Sequence, residues 1–274
     1  MSGADKKKVV YNIRRFIPEE DPRPHWESYF IEVEKGMTVL DGLHQIKERT
    51  DPTLSWRFSC RMGVCGSCAM LINGRPQLAC NTQILEVSES TIALAPLPNF
   101  DIVRDLVPDL TPLFEKHKAI RPFIVDEGSD KDLFGEHCQT PEDLLAYLQF
   151  SYCIKCGACM SACPTFATDP SYAGPQPLAQ THRYNEDTRD QGFGKRSLVA
   201  GEGHGAFHCH YAGECSNVCP KGVDPARAIQ LLKRSLVLDY LNLRSPHRHA
   251  EIIGPDTNAK KLPNIPSAPA YTVK

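Results

Sequence analysis

The spacing of the cysteines constrains this chain more than any other feature. Of twelve cysteines, four fall between Cys60 and Cys80, seven between Cys153 and Cys219, and Cys138 stands apart. A length of 274 residues allows two ordinary domains, each with its own core. The formal net charge of −2 leaves no electrostatic footprint for nucleic acid or a membrane surface. No stretch approaches the roughly eighteen consecutive apolar residues of a bilayer-spanning helix. Met1 to Tyr11 carries a basic cluster but neither an apolar signal core nor the Arg- and Ser-rich look of a transit peptide. The expectation is a chain that starts near Met1 and folds in the cytoplasm of a prokaryote. In that reducing compartment, clustered cysteines are metal ligands rather than disulfides.

The residues around the two cysteine groups differ in character. Val9 to Phe16 and Ser28 to Val33 are rich in β-branched and aromatic residues and read as strands. Val39, Leu40, Leu43 and Ile46 recur at helical spacing until Asp51-Pro52 stops the helix. Ala69 to Ile72 reads as a strand entering an Asn73-Gly74 turn, and Thr91 to Ala95 as a closing strand. Pro96, Pro98 and Pro108 mark a boundary, beyond which the pattern turns helical. Thr140-Pro141-Glu142 is a capped helix start, with Leu144, Leu145 and Leu148 expected as its apolar stripe. Asp224-Pro225 repeats that start before a helix with Ile229, Leu232 and Leu236 on one face.

The first cysteine group, Cys60-x4-Cys65-x2-Cys68-x11-Cys80, has the spacing of a plant-type two-iron (2Fe-2S) site. Thiolates suit the soft iron of such clusters. Gly63 and Gly66 let the backbone approach closely enough to aim N–H groups at sulfur, which tunes the potential. A structural zinc site is the alternative, but zinc usually takes paired Cys-x2-Cys knuckles and fits this loop poorly.

The second group carries a repeat. Cys153, Cys156, Cys159 and Cys163-Pro164 follow the bacterial ferredoxin run C-x2-C-x2-C-x3-C-P, whose fourth cysteine serves a second cluster. Aligning CHYAGECSNVCP on its own Cys-Pro puts Cys209, Cys215 and Cys219 at the first, third and fourth places, with Ala212 at the second. If fourth cysteines exchange, Cys153, Cys156, Cys159 and Cys219 make a 4Fe-4S set. Cys163, Cys209 and Cys215 make only three ligands, which suits a 3Fe-4S cluster. A lost thiolate lowers the local negative charge, so this site should have the higher potential and receive the electrons last. A fourth ligand from Glu214, His208 or His210 stays open, since carboxylate and imidazole both bind iron. Cys138 is expected to be a small buried or half-buried side chain without a role. Gly201-x-Gly203-x-Gly205 neither follows a strand nor opens a helix, so it is not a dinucleotide fingerprint.

Three unlike clusters in one chain make a relay for single electrons. The stretches SCRMGVCGSCAMLINGRPQLAC, CIKCGACMSACP, HRYNEDTRD (His182 to Asp190) and CSNVCPKGVDPARAIQ together resemble the iron–sulfur subunit of succinate dehydrogenase and fumarate reductase, respiratory complex II. The likeness runs from about Val9 to Tyr240. It implies an α+β chain: a β-grasp, plant-type 2Fe-2S ferredoxin domain over 1–108 and an α-helical ferredoxin domain over 109–245. An extended tail over 246–274 would lie along partners. It also implies a flavoprotein partner with covalent FAD, a membrane anchor often carrying haem b, and a quinone site between anchor and chain. The chain would then sit at the cytoplasmic face of a bacterial cell membrane, peripheral through the anchor. The implied cluster order is two-iron nearest the flavin, four-iron central, three-iron nearest the quinone.

At the quinone end the resemblance points to His210, Lys233 and Gln230, the last with an ordinary polar interface as its alternative. Thr168 stands where the ubiquinone-reducing relatives carry tryptophan. Thr168, Gln230 and HRYNEDTRD together point to menaquinone. Two other functions compete: a methylmenaquinol:fumarate reductase-type subunit, and a free-standing carrier, which the tail Leu262 to Lys274 and the basic stretch Arg244 to His249 argue against.

Overall fold

A computed structural model describes residues 6–126, 136–244 and 251–253 of the chain. The C-terminal stretches expected to lie along partners, 245–249 and 262–274, fall outside the described residues. The first half is built on strands β1 (Lys7–Arg15) and β2 (His25–Val33), helix α1 (Val39–Arg49), strands β3 (Ala69–Ile72) and β4 (Arg75–Leu78), a short helix α2 (Ile84–Val87) and strand β5 (Thr91–Ala95). The sheet order is β2-β1-β5-β3-β4, with β1 parallel to β5 and the other neighbours antiparallel. With α1 packed on the sheet, this is a β-grasp. Alternation on β1 buries Val9, Tyr11 and Ile13, which meet Leu40, Leu43 and Ile46 of α1 in one core. Thr38 caps α1, its hydroxyl accepting from the Asp41 N–H while the Asp41 carboxylate accepts from the Thr38 N–H.

A buried ion pair, Arg15 with Asp105, lies at the edge of this core. Arg15, buried at the end of β1, donates to Asp105 at 2.9 Å, to Thr53 at 2.9 Å and to Glu27 at 3.0 Å, and also pairs with Asp51. The guanidinium thereby ties β1 to the loop that leaves the domain.

A small ribbon, β6 (Ile102–Arg104) with β7 (Val107–Pro108), leads to α3 (Thr111–Ala119). Then follow β8 (Glu136–Cys138), α4 (Pro141–Ser151), α5 (Ala158–Ser161), α6 (Pro164–Thr168), α7 (Pro175–Asn185), α8 (Phe193–Gly201), α9 (Glu214–Asn217), α10 (Pro225–Tyr240) and β9 (Glu251–Ile253). Leu106 belongs to the first core and Leu113 to the second, while Phe100 packs against both. The second core joins Leu178 of α7 to Ile229, Leu232 and Leu236 of α10, the face expected from the sequence.

Two expectations fail. In α4 the capping box at Thr140 and Asp143 sets the start, but the buried residues are Tyr147 and Phe150; Leu144 and Leu145 are exposed. The phase is set by polar and aromatic anchors: the Tyr147 hydroxyl donates to Gln139 at 2.9 Å, and Phe150 packs edge-on to His182. Cys138 is exposed rather than buried, because it lies on β8, a three-residue strand whose partner among the described residues is β9.

Candidate metal centres

The loop carrying Cys60, Cys65 and Cys68 curls beneath Cys80, which sits in the 3-10 turn Ala79–Asn81. Backbone N–H groups point at its sulfurs: Gly63 to Cys80 at 3.2 Å, Val64 and Cys65 to Cys60 at 3.3 Å each. Donors from Met62, Cys65 and Val64 pull the half-buried Cys60 thiol down to about 6, which favours the thiolate form that iron binds. Burial pushes Cys68 the other way, up to about 12. Gly63, at φ +69°, is one of these donors. Gly66 does something else: a Cβ there would fall 2.7 Å from Cys156 Cβ. Its missing side chain is what lets the first cysteine loop touch the second domain.

That contact belongs to a wider seam. Arg75 donates to the Asn217 carbonyl at 2.9 Å, and Asn99 donates to the Ser161 carbonyl at 2.9 Å.

In the helical half the two motifs fold alike. Lys155 (φ +56°) and Tyr211 (φ +60°) occupy matching places, as do Gly157 (φ +85°) and Gly213 (φ +79°). Each glycine caps a four-residue helix, α5 or α9, which runs toward a Cys-Pro pair. Ala212 stands in the loop position held by Cys156 in the first motif. The cysteines then gather across motifs. One cavity is lined by Cys153, Cys156, Cys159 and Cys219. Another is lined by Cys163, Cys209 and Cys215, with Ala212 and Glu214 at its wall. All twelve cysteines are free thiols.

Burial raises most of these thiols: Cys156 to about 11, Cys215 to about 12, and Cys159 well above its ordinary value. A buried thiolate needs nearby positive charge, which coordinated iron supplies. The donor set therefore fits iron–sulfur clusters. Further N–H groups reach the sulfurs, from Val223 to Cys219 at 3.4 Å, Phe166 to Cys163 at 3.5 Å and Tyr211 to Cys209 at 3.4 Å.

Some neighbours carry no sequence signal. Gln176 Nε2 lies 3.8 Å from Cys153 Sγ and 3.1 Å from His117 Nδ1. Tyr172 is fully buried beside the three-cysteine cavity, and its hydroxyl faces Cys209. Both lie between the motifs in sequence and become neighbours of sulfur only through the fold.

The quinone candidates stand differently toward the three-cysteine cavity. His210 is exposed and lines it. Lys233 is half-buried and donates to the Cys209 carbonyl at 2.8 Å. Gln230 Nε2 is buried without a hydrogen-bond partner among the described residues. Thr168 is exposed, its hydroxyl turned back on the Pro164 and Thr165 carbonyls. Of the alternative fourth ligands, Glu214 and His210 line the cavity, whereas His208 pairs with Asp169 at 3.1 Å. HRYNEDTRD forms a buried polar hub: Asp187 accepts from Arg189 at 2.8 Å and from Gln139 at 3.1 Å, and Asp190 holds Arg196.

Comparison with known proteins adds to this geometry. Residues 10–115 match the family described as a 2Fe-2S iron-sulfur cluster binding domain, and residues 149–223 match the 4Fe-4S dicluster domain. A protein of Mycobacterium tuberculosis named fumarate reductase iron-sulfur subunit is 45% identical over 228 residues, covering 82% of this chain and 92% of that protein. The succinate dehydrogenase iron-sulfur subunit of Paracoccus denitrificans is 37% identical over 229 residues, covering 83% and 87%. Among solved structures, a chain of the Mycobacterium smegmatis Sdh1 complex in the apo form superposes with a TM-score of 0.75 at 28% identity, covering 86% of this chain and 97% of that one.

Proposed function

The chain belongs to the iron–sulfur subunits of fumarate reductase and succinate dehydrogenase, and from that premise we propose how its cysteines and its outer face divide the work. It is an electron-transfer subunit of complex II, and its two ferredoxin-type domains bind iron–sulfur clusters. In our reading Cys60, Cys65, Cys68 and Cys80 hold 2Fe-2S; Cys153, Cys156, Cys159 and Cys219 hold 4Fe-4S; Cys163, Cys209 and Cys215 hold 3Fe-4S. When bound, such clusters accept and pass on single electrons. The observation that carries the reading is the crossing of ligands: each helical-domain cavity takes cysteines from both motifs, four in one and three in the other.

The protein's own residues do the rest. Backbone N–H groups of the cysteine loops offset negative charge on sulfur, and Gly66 allows the first loop to sit against Cys156. The electron order two-iron, four-iron, three-iron accords with that contact. The domains divide near residue 108, as the separate cores of Leu106 and Leu113 suggest. An FAD-bearing flavoprotein would dock at the two-iron end. A membrane anchor, with or without haem b, would cover the three-cysteine end, where Phe207 and Tyr211 are 52% and 60% exposed. No helix among the described residues is long and apolar enough to cross a membrane, so attachment at the cytoplasmic face would run through that anchor.

At this end Lys233 brings positive charge to the Cys209 carbonyl, and His210 can supply a proton to a reduced quinone. Menaquinone is the quinone we assign, from Thr168 and Gln230. The test is a potentiometric titration of the purified complex followed by electron paramagnetic resonance, with extracted quinone identified by mass spectrometry. An oxidised three-iron signal with the highest potential of the three is expected, together with menaquinone. Absence of that signal in intact protein would sink the ligand assignment, and ubiquinone alone would sink the quinone assignment.

A further inference from the structure

The turn after α6 holds a side-chain cluster that the cysteine cavities do not use. Asp169 Oδ2 lies 2.7 Å from His204 Nδ1 and 3.1 Å from His208 Nε2. The three candidate ligand atoms are all within 4.8 Å of one another. The carboxylate is held in place, because its other oxygen accepts from the Ser171 N–H at 2.9 Å. His204 is held by its backbone: its carbonyl accepts from the Ala173 N–H at 2.8 Å.

Of the glycine cluster, Gly205 shapes the loop that carries His204. Gly203 and Gly205 flank His204, and a Cβ on Gly205 would fall 2.2 Å from the Ala200 carbonyl oxygen. Only glycine permits the loop to fold back this tightly and set His204 over Asp169. His208 rests against the Tyr172 ring at 5.7 Å between centroids, which orients its imidazole. In the chain without its partners the side chains of His204, His208 and Asp169 are 62%, 35% and 23% exposed, so the ligand atoms are not sealed inside its own core.

Two imidazoles and one carboxylate suit a borderline transition ion; calcium and magnesium want oxygen ligands throughout. We propose that Asp169, His204 and His208 form a binding site for a divalent transition-metal ion such as zinc, with water completing the coordination. Lys116 opposes it: the ammonium donates to the Ser171 carbonyl at 3.2 Å and interacts with Asp169. The site should therefore be of moderate affinity and exchangeable. An ion there would tie the segment following Cys163 to the segment preceding Cys209. The inference does not depend on which cluster those cysteines hold.

The experiment uses the intact purified complex, stripped with a chelator that spares iron and dialysed against micromolar zinc. Zinc and iron are counted together by mass spectrometry, and thermal unfolding is followed with and without zinc. Wild type should hold one zinc per chain that His204→Gln lacks at the same free zinc, with affinity lower by at least about tenfold in the variant. Zinc should raise the unfolding temperature of wild type and not of the variant. His204 is largely solvent-exposed, and an unchanged iron content checks that the variant folds. His208→Gln and Asp169→Asn should behave alike, whereas Cys138→Ser should retain the zinc. Equal zinc binding by wild type and His204→Gln, loss of the zinc in Cys138→Ser, or displacement by a hundredfold excess of magnesium or calcium would each overturn the proposal.

Discussion

Set side by side, the loops Cys153–Cys163 and Cys209–Cys219 share a backbone but not an environment. Both turn through a left-handed residue and a left-handed glycine into a four-residue helix that leads to Cys-Pro. Yet Cys156 is pressed against Gly66 of the first domain, whereas Ala212 is exposed beside the exposed Tyr211. The conformation survives without a cysteine at the second position, so the glycine and the helix it caps, not the ligand, shape the loop. The missing thiol changes what the loop can hold and leaves its form intact. It also falls on the side of the chain that the first domain does not cover.

Substitutions in the two loops should therefore differ in effect, from loss of a cluster down to a shift in potential. The largest effect should come from Cys219→Ser, which lies in the second motif but lines the four-cysteine cavity. Iron analysis and electron paramagnetic resonance should show the four-iron cluster lost, the three-iron cluster kept and electron flow to quinone abolished. Loss of the three-iron signal instead would refute ligand crossing. Next is Ala212→Cys, which would make the motifs equivalent. The oxidised three-iron signal should vanish, one iron per chain should be gained, and the potential of that site should fall. Persistence of the signal would mean that the position is not a ligand place.

A smaller effect separates the two glycine caps. Alanine at either position adopts a left-handed conformation at a cost of about 1–2 kcal/mol. At Gly157 a Cβ would also press on Leu97 and Leu110 at 3.3 Å, whereas nothing lies within 4 Å at Gly213. Thermal unfolding should rank Gly157→Ala as the more damaging; the reverse order would contradict the environmental difference. The smallest change should follow Tyr172→Phe. Its hydroxyl is buried and faces Cys209. A hydrogen bond to that sulfur in the loaded protein would contribute about 0.5–1.5 kcal/mol, so its removal should lower the potential of the three-iron site by about 20–60 mV. The four-iron potential should not move.

Much of the first domain could be read directly. Strand alternation in Val9 to Phe16 and the capped, periodic α1 are local patterns, and local patterns persist into the fold. α7 could not be read, because nine of its residues are buried on all sides, prolines and glutamines included. A helix enclosed by protein keeps no apolar stripe for periodicity to find. The α4 stripe misled for the related reason that Tyr147 and Phe150 found partners in Gln139 and His182, leaving Leu144 and Leu145 outside. Arg15 and its acidic partners were silent because they lie far apart in the chain.

What the sequence by itself determined is the inventory: four thiols in a glycine-rich loop, then two copies of one motif with alanine in place of a cysteine. Spacing carries that information because ligands within a loop are positioned by the few residues between them. Only the tertiary structure decided which thiols share a cavity with which neighbours. It brought Tyr172 and Gln176 to the sulfurs, pressed Gly66 onto Cys156, and folded His204 back over Asp169. Those contacts join residues distant in sequence, and they exist only because helix packing and a few side chain–backbone bonds close the distance.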